Sequence, residues 1–340
     1  MIAALLKAWS LHPPDTLAVI CSVIQWKGSV PRKDYPMMIV VEDGPLLGTI
    51  GGGSMELKVT HSAREMIGKS SHAVFDFDMT GSSVEGDQGL CGGTLKVLIE
   101  PFSQALQDLY RDIDLAQAKN PKLMLQVTIP STHDTPINRQ LITKRGDISH
   151  SDPNIFGKVQ QAYDSQRSTV VLSTKQDHIL LWQPFTPPTI HIFGAGHVGQ
   201  SVAELAHFND IPVAVYDDRL NLITVKRFPY AKRTVTNFPI LWEFLPTIPA
   251  QDFVLIASRE HKHDRELLAG LLKIKRAYVG LVSSARKWSI LSGALEQDGF
   301  SKTQLEQVRA PVGLNIDAQT VPEIAVSILA EIIATYRKSS

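Results

Sequence analysis

Thr189-Ile190-His191-Ile192-Phe193-Gly194-Ala195-Gly196-His197-Val198-Gly199 is the stretch that decides the fold. Its first five residues, mostly β-branched or apolar, read as a strand. In the turn, Gly194 permits a tight bend, Gly196 lets a backbone approach closely, and Gly199 lets the following helix pack on the strand. Val198, Val202, Leu205 and Ala206 then fall on one helical face. Amides at the start of such a helix attract an anionic phosphate. A second strand, Val213-Ala214-Val215-Tyr216, ends in Asp217-Asp218, about 20 residues past the turn, where a ribose-binding acid belongs. Strand, glycine turn, helix and acid together predict a Rossmann-type domain. Glycines that serve only helix–strand packing would give the same pattern, because a fold does not fix its ligand.

Downstream, strands and helices keep alternating. Asp252–Ala257 reads as a buried parallel strand, Asp264–Leu272 as a helix, Arg276–Val282 as a strand and Ser284–Gln297 as a helix. Thr320-Val321-Pro322-Glu323 is a capping box with proline in the first turn, and Ile324, Ile328, Leu329 and Ile332 follow at helical spacing. This alternation predicts an α/β fold, a mostly parallel sheet with helices on both faces.

Upstream, the pattern changes to short strands and glycine turns. Leu17–Ile24, Met37–Val41, Leu46–Ile50 and Thr94–Ile99 are strand candidates, the last stopped by Pro101. A helix over roughly 103–118, a strand near Leu123–Ile129 and two strands within 168–182 follow; Pro130–Gln166 is polar and carries no functional signal. Pro184-Phe185-Thr186-Pro187-Pro188 is a stiff linker. It divides the chain into an N-terminal mixed α+β domain over 1–186 and a C-terminal Rossmann-like domain over 187–340.

Lys plus Arg and Asp plus Glu both number 34, so no global field favours nucleic acid or an anionic membrane surface. A neutral surface does little to oppose self-association. The first residues, Met1–Trp9, lack a basic leader and are interrupted by Lys7, so they read as an amphipathic helix rather than a signal peptide. No stretch approaches the roughly 20 apolar residues of a membrane span. Two cysteines make no disulfide framework, and a cytoplasmic address is expected.

Five segments are chemically suggestive. Gly28-Ser29-Val30-Pro31-Arg32 ends in a guanidinium suited to a phosphate, or to plain solvation. Gly48-Thr49-Ile50-Gly51-Gly52-Gly53-Ser54-Met55-Glu56 runs a costly glycine triplet into a helix that Ser54 is expected to cap, either an anion cradle or a tight strand-to-helix turn. Gly86–Gly93 places Cys91 among glycines, where it is either a thiol whose pKa backbone amides lower or an ordinary turn cysteine, whereas Cys21 sits in an apolar strand as a core residue. Ser258-Arg259-Glu260-His261-Lys262-His263-Asp264 lies at the carboxyl edge of the sheet. Three potential metal ligands within four residues rarely converge, so His261 and His263 read better as acid/base or hydrogen-bonding groups. Val312–Ala318 is a weaker backbone-lined loop before the terminal helix.

Together these segments resemble the XdhC/CoxI family, accessory proteins of molybdenum hydroxylases such as xanthine dehydrogenase. The family's G-S-x-P-R, G-x-I-G-G-G-x-x-E and C-G-G loops correspond to Gly28–Arg32, Gly48–Glu56 and Cys91–Gly93. Its G-A-G-H-V-G, D-D-R, R-G-H-x-x-D, P-x-G-L and P-E-I-A-x-S-I-x-A-E-I segments correspond to Gly194–Gly199, Asp217–Arg219, Arg259–Asp264, Pro311–Leu314 and Pro322–Ile332. Glu260 replaces a family glycine, Leu281-Val282-Ser283-Ser284 stands for a Gly-Ser loop, Asp317 takes a usual glycine place, and Lys33-Asp34-Tyr35-Pro36 replaces a small Pro/Gly-rich stretch.

The resemblance implies a chaperone rather than a turnover catalyst. Such a protein binds molybdenum cofactor, assists its sulfuration and passes it to the apo-hydroxylase, acting as a homodimer beside a sulfurtransferase. The implied cofactor-binding residues are Arg32, Gly51, Gly52, Gly53, Glu56 and Cys91, with Gly194, Gly196, His197, Gly199, Asp217, Asp218, His261 and Asp264. Cys91 would lie near the molybdenum or its sulfur. Molybdopterin is a phosphorylated pterin dithiolene, and the Rossmann-type turn suits either its phosphate or a nucleotide. Two alternatives stand beside this reading: an NAD(P)-dependent oxidoreductase with His261 as acid/base, and a nucleotide-sensing regulator without chemistry.

Overall fold

The computed structural model describes residues 2–28, 35–78, 93–117, 123–144, 147, 156–165, 169–173, 177–183, 187–231, 233–235, 244–259 and 261–339. The chain forms two compact units, Met1–Thr186 and Pro187–Ser340.

In the first unit, strands β1 (Ala18–Lys27), β2 (Met37–Val41), β3 (Leu46–Gly48), β4 (Ala73–Asp78) and β5 (Thr94–Pro101) form an antiparallel sheet of order β3-β2-β1-β5-β4. β1 and β2 are buried on both faces, so their sequences run continuously apolar instead of alternating. Helix α2 (Gly53–Met66) covers one face through Met55, Val59, Ala63 and Met66, against Cys21, Met38 and Val97. The other face packs on α1 (Ile2–Trp9) and α3 (Gln104–Gln117), and on a second sheet. That sheet has the order β7-β6-β9-β8, from β6 (Met124–Pro130), β7 (Asn138–Ile142), β8 (Thr169–Ser173) and β9 (Asp177–Trp182). Helix α4 (Phe156–Ser165) packs on it through Val159 and Ala162.

The segment without a readable signal, Pro130–Gln166, therefore contains β7 and α4. β7 escaped notice because Asn-Arg-Gln-Leu-Ile is polar, as an edge strand is free to be. Nη2 of its Arg139 donates to both oxygens of Glu100 on β5, joining the two sheets. Burial pushes the Glu100 carboxyl up, and the Arg139 guanidinium offsets only part of that rise.

The second unit contains β10 (Ile190–Phe193), β11 (Val213–Tyr216), β12 (Arg233–Val235), β13 (Phe253–Ile256), β14 (Tyr278–Leu281) and β15 (Val308–Arg309). All neighbours are parallel, in the order β12-β11-β10-β13-β14-β15. Counted within the unit, that is the 3-2-1-4-5-6 order of a Rossmann sheet, which reverses between β10 and β13. The helices are α5 (His197–Phe208), α6 (His261–Leu271), α7 (Ala285–Gln297), α8 (Lys302–Leu305) and α9 (Val321–Ser339). The α/β architecture expected from the alternation is present.

The buried stripe of α5 is Gly199, Val202, Ala203 and Ala206, turned slightly from the expected one; Val198 and Leu205 are only half-buried. The stripe turns because Gly199 itself is the point of closest approach to β10. The capping box of α9 is present: Glu323 accepts from the Gln319 and Thr320 amides at 2.7 and 2.9 Å, and its own amide donates to the Thr320 hydroxyl. Among the described residues no helix is long and apolar enough to cross a membrane.

Candidate functional site

The carboxyl ends of β10, β11 and β13 meet at the point where the strand order reverses, the place where open α/β sheets bind ligands. A shallow crevice, open to solvent, lies there. Gly194 from the end of β10, Asp217, Asp218 and Arg219 from the end of β11, and Ser258, Arg259 and His263 after β13 line it.

The three turn glycines answer to different demands. Gly194 has φ +125°, and a Cβ there would drive into the Ala257 carbonyl. A Cβ on Gly199 would drive into the Gly194 carbonyl. Gly196 has ordinary dihedrals, φ −68° and ψ −173°, and a Cβ on it would meet nothing within 4 Å. Neither backbone strain nor packing requires glycine at 196. The Rossmann pattern reserves that position for close approach of a ligand phosphate.

Asp217 is 2% exposed and densely bonded. It accepts from the Ala195 amide at 2.6 Å, the Arg219 amide at 2.9 Å, and Nε and Nη2 of Arg219 at 2.8 Å each. Burial alone would raise its pKa. The guanidinium and the two amides outweigh that and bring it down to about 2. Asp218 is half exposed, 3.9 Å from Arg219 Nε.

Asp264, on the first turn of α6, is fully buried. Ser258 donates to its Oδ1 at 2.5 Å, and Lys287 Nζ lies 2.5 Å from its Oδ2. Its carboxylate thus links the crevice wall to α7 rather than pointing at a ligand. Lys287 was not anticipated; its only sequence signal is its place one turn into the helix that Ser284 caps through the Lys287 amide. Arg219 was visible only as the third residue of Asp-Asp-Arg. His197 is exposed at the start of α5, and His263 lies 3.8 Å from Glu266. The side chain of His261, and all of Glu260, lie outside the described residues. Among the described residues no group of three or more His, Cys, Asp or Glu could hold a metal ion.

In the first unit, Gly51, Gly52 and Gly53 take φ of +139°, +75° and +68°. Gly52 pairs that φ with ψ −172°, a region open essentially to glycine alone. A Cβ on Gly52 or Gly53 would meet nothing within 4 Å. Gly52 rather than Ser54 is the residue before the helix, and no side chain caps it. The expected Ser54 cap is replaced by Glu56, which reaches back one turn. Its Oε2 accepts from the Thr49 hydroxyl at 2.5 Å and from the Ile50 and Gly52 amides at 3.0 and 3.1 Å. The Gly51 amide donates to Thr49 Oγ1 at 3.0 Å. Glu56 is therefore the clasp of this loop. Arg32 and Cys91 lie outside the described residues. Cys21 is a core residue, fully buried, with its thiol pKa pushed up by burial.

The Val312–Ala318 loop is tied to α9. Gly313 donates its amide to Glu331, and Ser327 bonds both the amide and the carbonyl of Leu314. Asp317 has φ +54°, a left-handed conformation that explains why glycine suits that place. A buried polar link went unread in the strand at 190–193. His191 Nδ1 lies 2.9 Å from the Tyr216 hydroxyl and Nε2 3.1 Å from Asp252, which also accepts from the Thr189 amide.

Residues 15–78 match the family described as XdhC and CoxI, and residues 190–332 match the XdhC Rossmann domain. The chain belongs to the XdhC and CoxI family. The Rossmann match opens on the first residue of β10 and ends within α9, so the whole crevice lies inside it. The chain is 26% identical to a probable xanthine dehydrogenase subunit of Bacillus subtilis, over 94% of each chain. It is 21% identical to the molybdenum cofactor insertion chaperone PaoD of Escherichia coli, over 93% of this chain and 82% of PaoD. A crystal structure of a xanthine dehydrogenase from Bacillus halodurans superposes with a TM-score of 0.77 at 25% identity, covering 99% of this chain and 97% of that one.

Proposed function

We propose that this XdhC-family chain is an accessory factor that binds molybdenum cofactor, assists its sulfuration and delivers it to a xanthine dehydrogenase-type hydroxylase. The open face of Gly196, two residues past the Gly194 wall of the switch-point crevice, carries this reading: it is the turn glycine that packing does not explain. The described residues fit the anionic organic part of the cofactor, and the metal would arrive already held by its own dithiolene. When bound, the cofactor supplies the molybdenum centre that the hydroxylase uses. Gly196, Arg219 and Arg259 would hold its phosphate, with His263 beside them. Asp217 and Asp264 set the crevice walls. In the first unit, Arg32, Gly53 and Cys91 are the candidates for cofactor binding that the family resemblance names. The proposed partners are the apo-hydroxylase, a sulfurtransferase and a second copy of this chain, in the cytoplasm.

The experiment is cofactor retention. Full-length protein co-expressed with pterin synthesis should release a fluorescent oxidised pterin after acid-iodine treatment. Gly196→Val should lower the yield about tenfold while leaving the melting temperature intact. Wild-type protein without pterin would overturn the reading, as would an undiminished yield from Gly196→Val.

A further inference from the structure

The acid at the carboxyl end of β11 occupies the place where a dinucleotide-binding sheet offers a carboxylate to a ribose diol. Here that carboxylate is Asp217, and it is engaged on all sides. Its oxygens receive the Ala195 amide, the Arg219 amide and two N–H groups of the Arg219 fork, all within 2.9 Å. A ribose hydroxyl would have to displace a charge-assisted, two-point bond from a residue only 2% exposed. Arg219 itself lines the crevice and keeps 30% of its side chain exposed. Arg259 lines the same space. Asp218 faces the same guanidinium from 3.9 Å, half exposed. Side-chain charge in the lining is nearly balanced, but Asp217 is sealed, so an incoming group meets Arg219, Arg259 and the rim carboxylate of Asp218.

We propose that the Asp217–Arg219 pair makes the crevice selective for a terminal phosphate without an adjoining ribose diol, with Arg219 touching the phosphate and Asp217 positioning Arg219 against the turn. This rests on the accessory-factor reading above, and it deepens it by naming the group the crevice holds. A dinucleotide of the NAD(P) type is disfavoured because its ribose finds no acceptor at 217. The rim Asp218 then acts as a repulsive neighbour of the anion rather than as a ribose ligand.

Opposite signs at two positions test this. Full-length protein is titrated by calorimetry with phenyl phosphate, which has no diol, and with ADP-ribose, which has two. Phenyl phosphate should bind the wild type, and Asp218→Asn should tighten it several-fold by removing a like charge. Arg219→Ala should weaken it about tenfold and unmask Asp217, so that ADP-ribose gains affinity; Arg219→Lys should restore part of the phosphate affinity. A variant that merely unfolds would lower both ligands together, and thermal melts identify it; Asp218→Asn, on an exposed rim, then carries the test alone. Tighter wild-type binding of ADP-ribose than of phenyl phosphate overturns the proposal, as does loss of ADP-ribose binding in Asp218→Asn. Pterin retention, read on the same preparation, separates the two claims. Retained pterin with a preference for ADP-ribose removes only the selectivity. Absent pterin with a preference for phosphate removes only the accessory function.

Discussion

Alanine at Gly196 and alanine at Gly199 should have opposite consequences, although the two residues lie three apart in one turn. At Gly199 a Cβ would drive into the Gly194 carbonyl and sit 3.2 Å from Ile192 Cγ2. Helix α5 would have to lift from β10. Overpacking of this kind costs typically 1–3 kcal/mol and occasionally more. The clash is with backbone, which cannot rotate away, so the upper end applies. Replacing a helical glycine by alanine returns up to about 1 kcal/mol. A net loss of about 2 kcal/mol should lower the melting temperature of the second unit by roughly 4–8 °C. At Gly196 the new methyl meets nothing within 4 Å, and φ −68° suits alanine. Restricting the unfolded chain contributes about 0.4–1 kcal/mol. Loss of a glycine at the residue before the helix offsets most of that. Stability should stay within about 0.5 kcal/mol of wild type, while pterin retention falls. Thermal melts and acid-iodine fluorescence on both variants are the assay. Equal destabilisation by the two alanines would refute the assignment of distinct causes. Unchanged retention in Gly196→Ala together with Gly196→Val would remove the ligand from the argument altogether.

Lys287→Met should destabilise the second unit by about 2–4 kcal/mol, because it strands the buried Asp264 carboxylate with only Ser258 as partner. The double variant Asp264→Leu/Lys287→Met should recover part of that loss in urea unfolding; an additive loss would show that the pair is not the cause. Acid should weaken the second unit through Asp217. Its folded pKa of about 2 lies below the unfolded value, so its contribution is present in full above about pH 4 and fades as pH falls through 2. The drop of nearly two units corresponds to about 2 kcal/mol. Urea midpoints of wild type and Asp217→Asn should therefore converge on acidification, and parallel curves would refute the account.

Legibility in the sequence followed how local each cause was. The Rossmann half was readable because strand, turn and helix alternate with apolar runs and caps that each reside within a few residues, as Thr320 and Glu323 show. β7 was not readable, because its reason lies outside it. Arg139 is there for Glu100, 39 positions earlier in the chain, and no periodicity encodes that pairing. Asp217 was read correctly in place, at the end of β11, yet its bond to the Ala195 amide emerges only when β10 and β11 lie side by side, while Arg219 is a local partner two residues on. Lys287 is the same case across α6 and α7, where a lysine looks like any solvated residue until the buried Asp264 is set beside it. Glu56 shows the reverse. Its motif position was plain, but Ser54 looked the better cap because hydroxyls at that step usually are. A carboxylate that can reach three donors at once displaced it.

The two glycine loops also exchange weight once their geometry is known. In sequence the triplet Gly51–Gly53 is the louder signal, since three ordered glycines in a row are costly and invite a ligand as the reason. In the fold the triplet has a sufficient reason of its own: all three residues take positive φ, and the Gly51 and Gly52 amides close onto Thr49 and Glu56. Those glycines would be needed with or without a ligand, so their presence argues for neither. Gly196 is the quieter residue, in a turn where any one glycine could be dismissed as packing. It has ordinary dihedrals and empty space above it, whereas its two companions have full steric explanations. What remains unexplained by the chain's own needs points to something the chain holds, and on that ground the crevice at the head of β10 and β13 bears the functional argument.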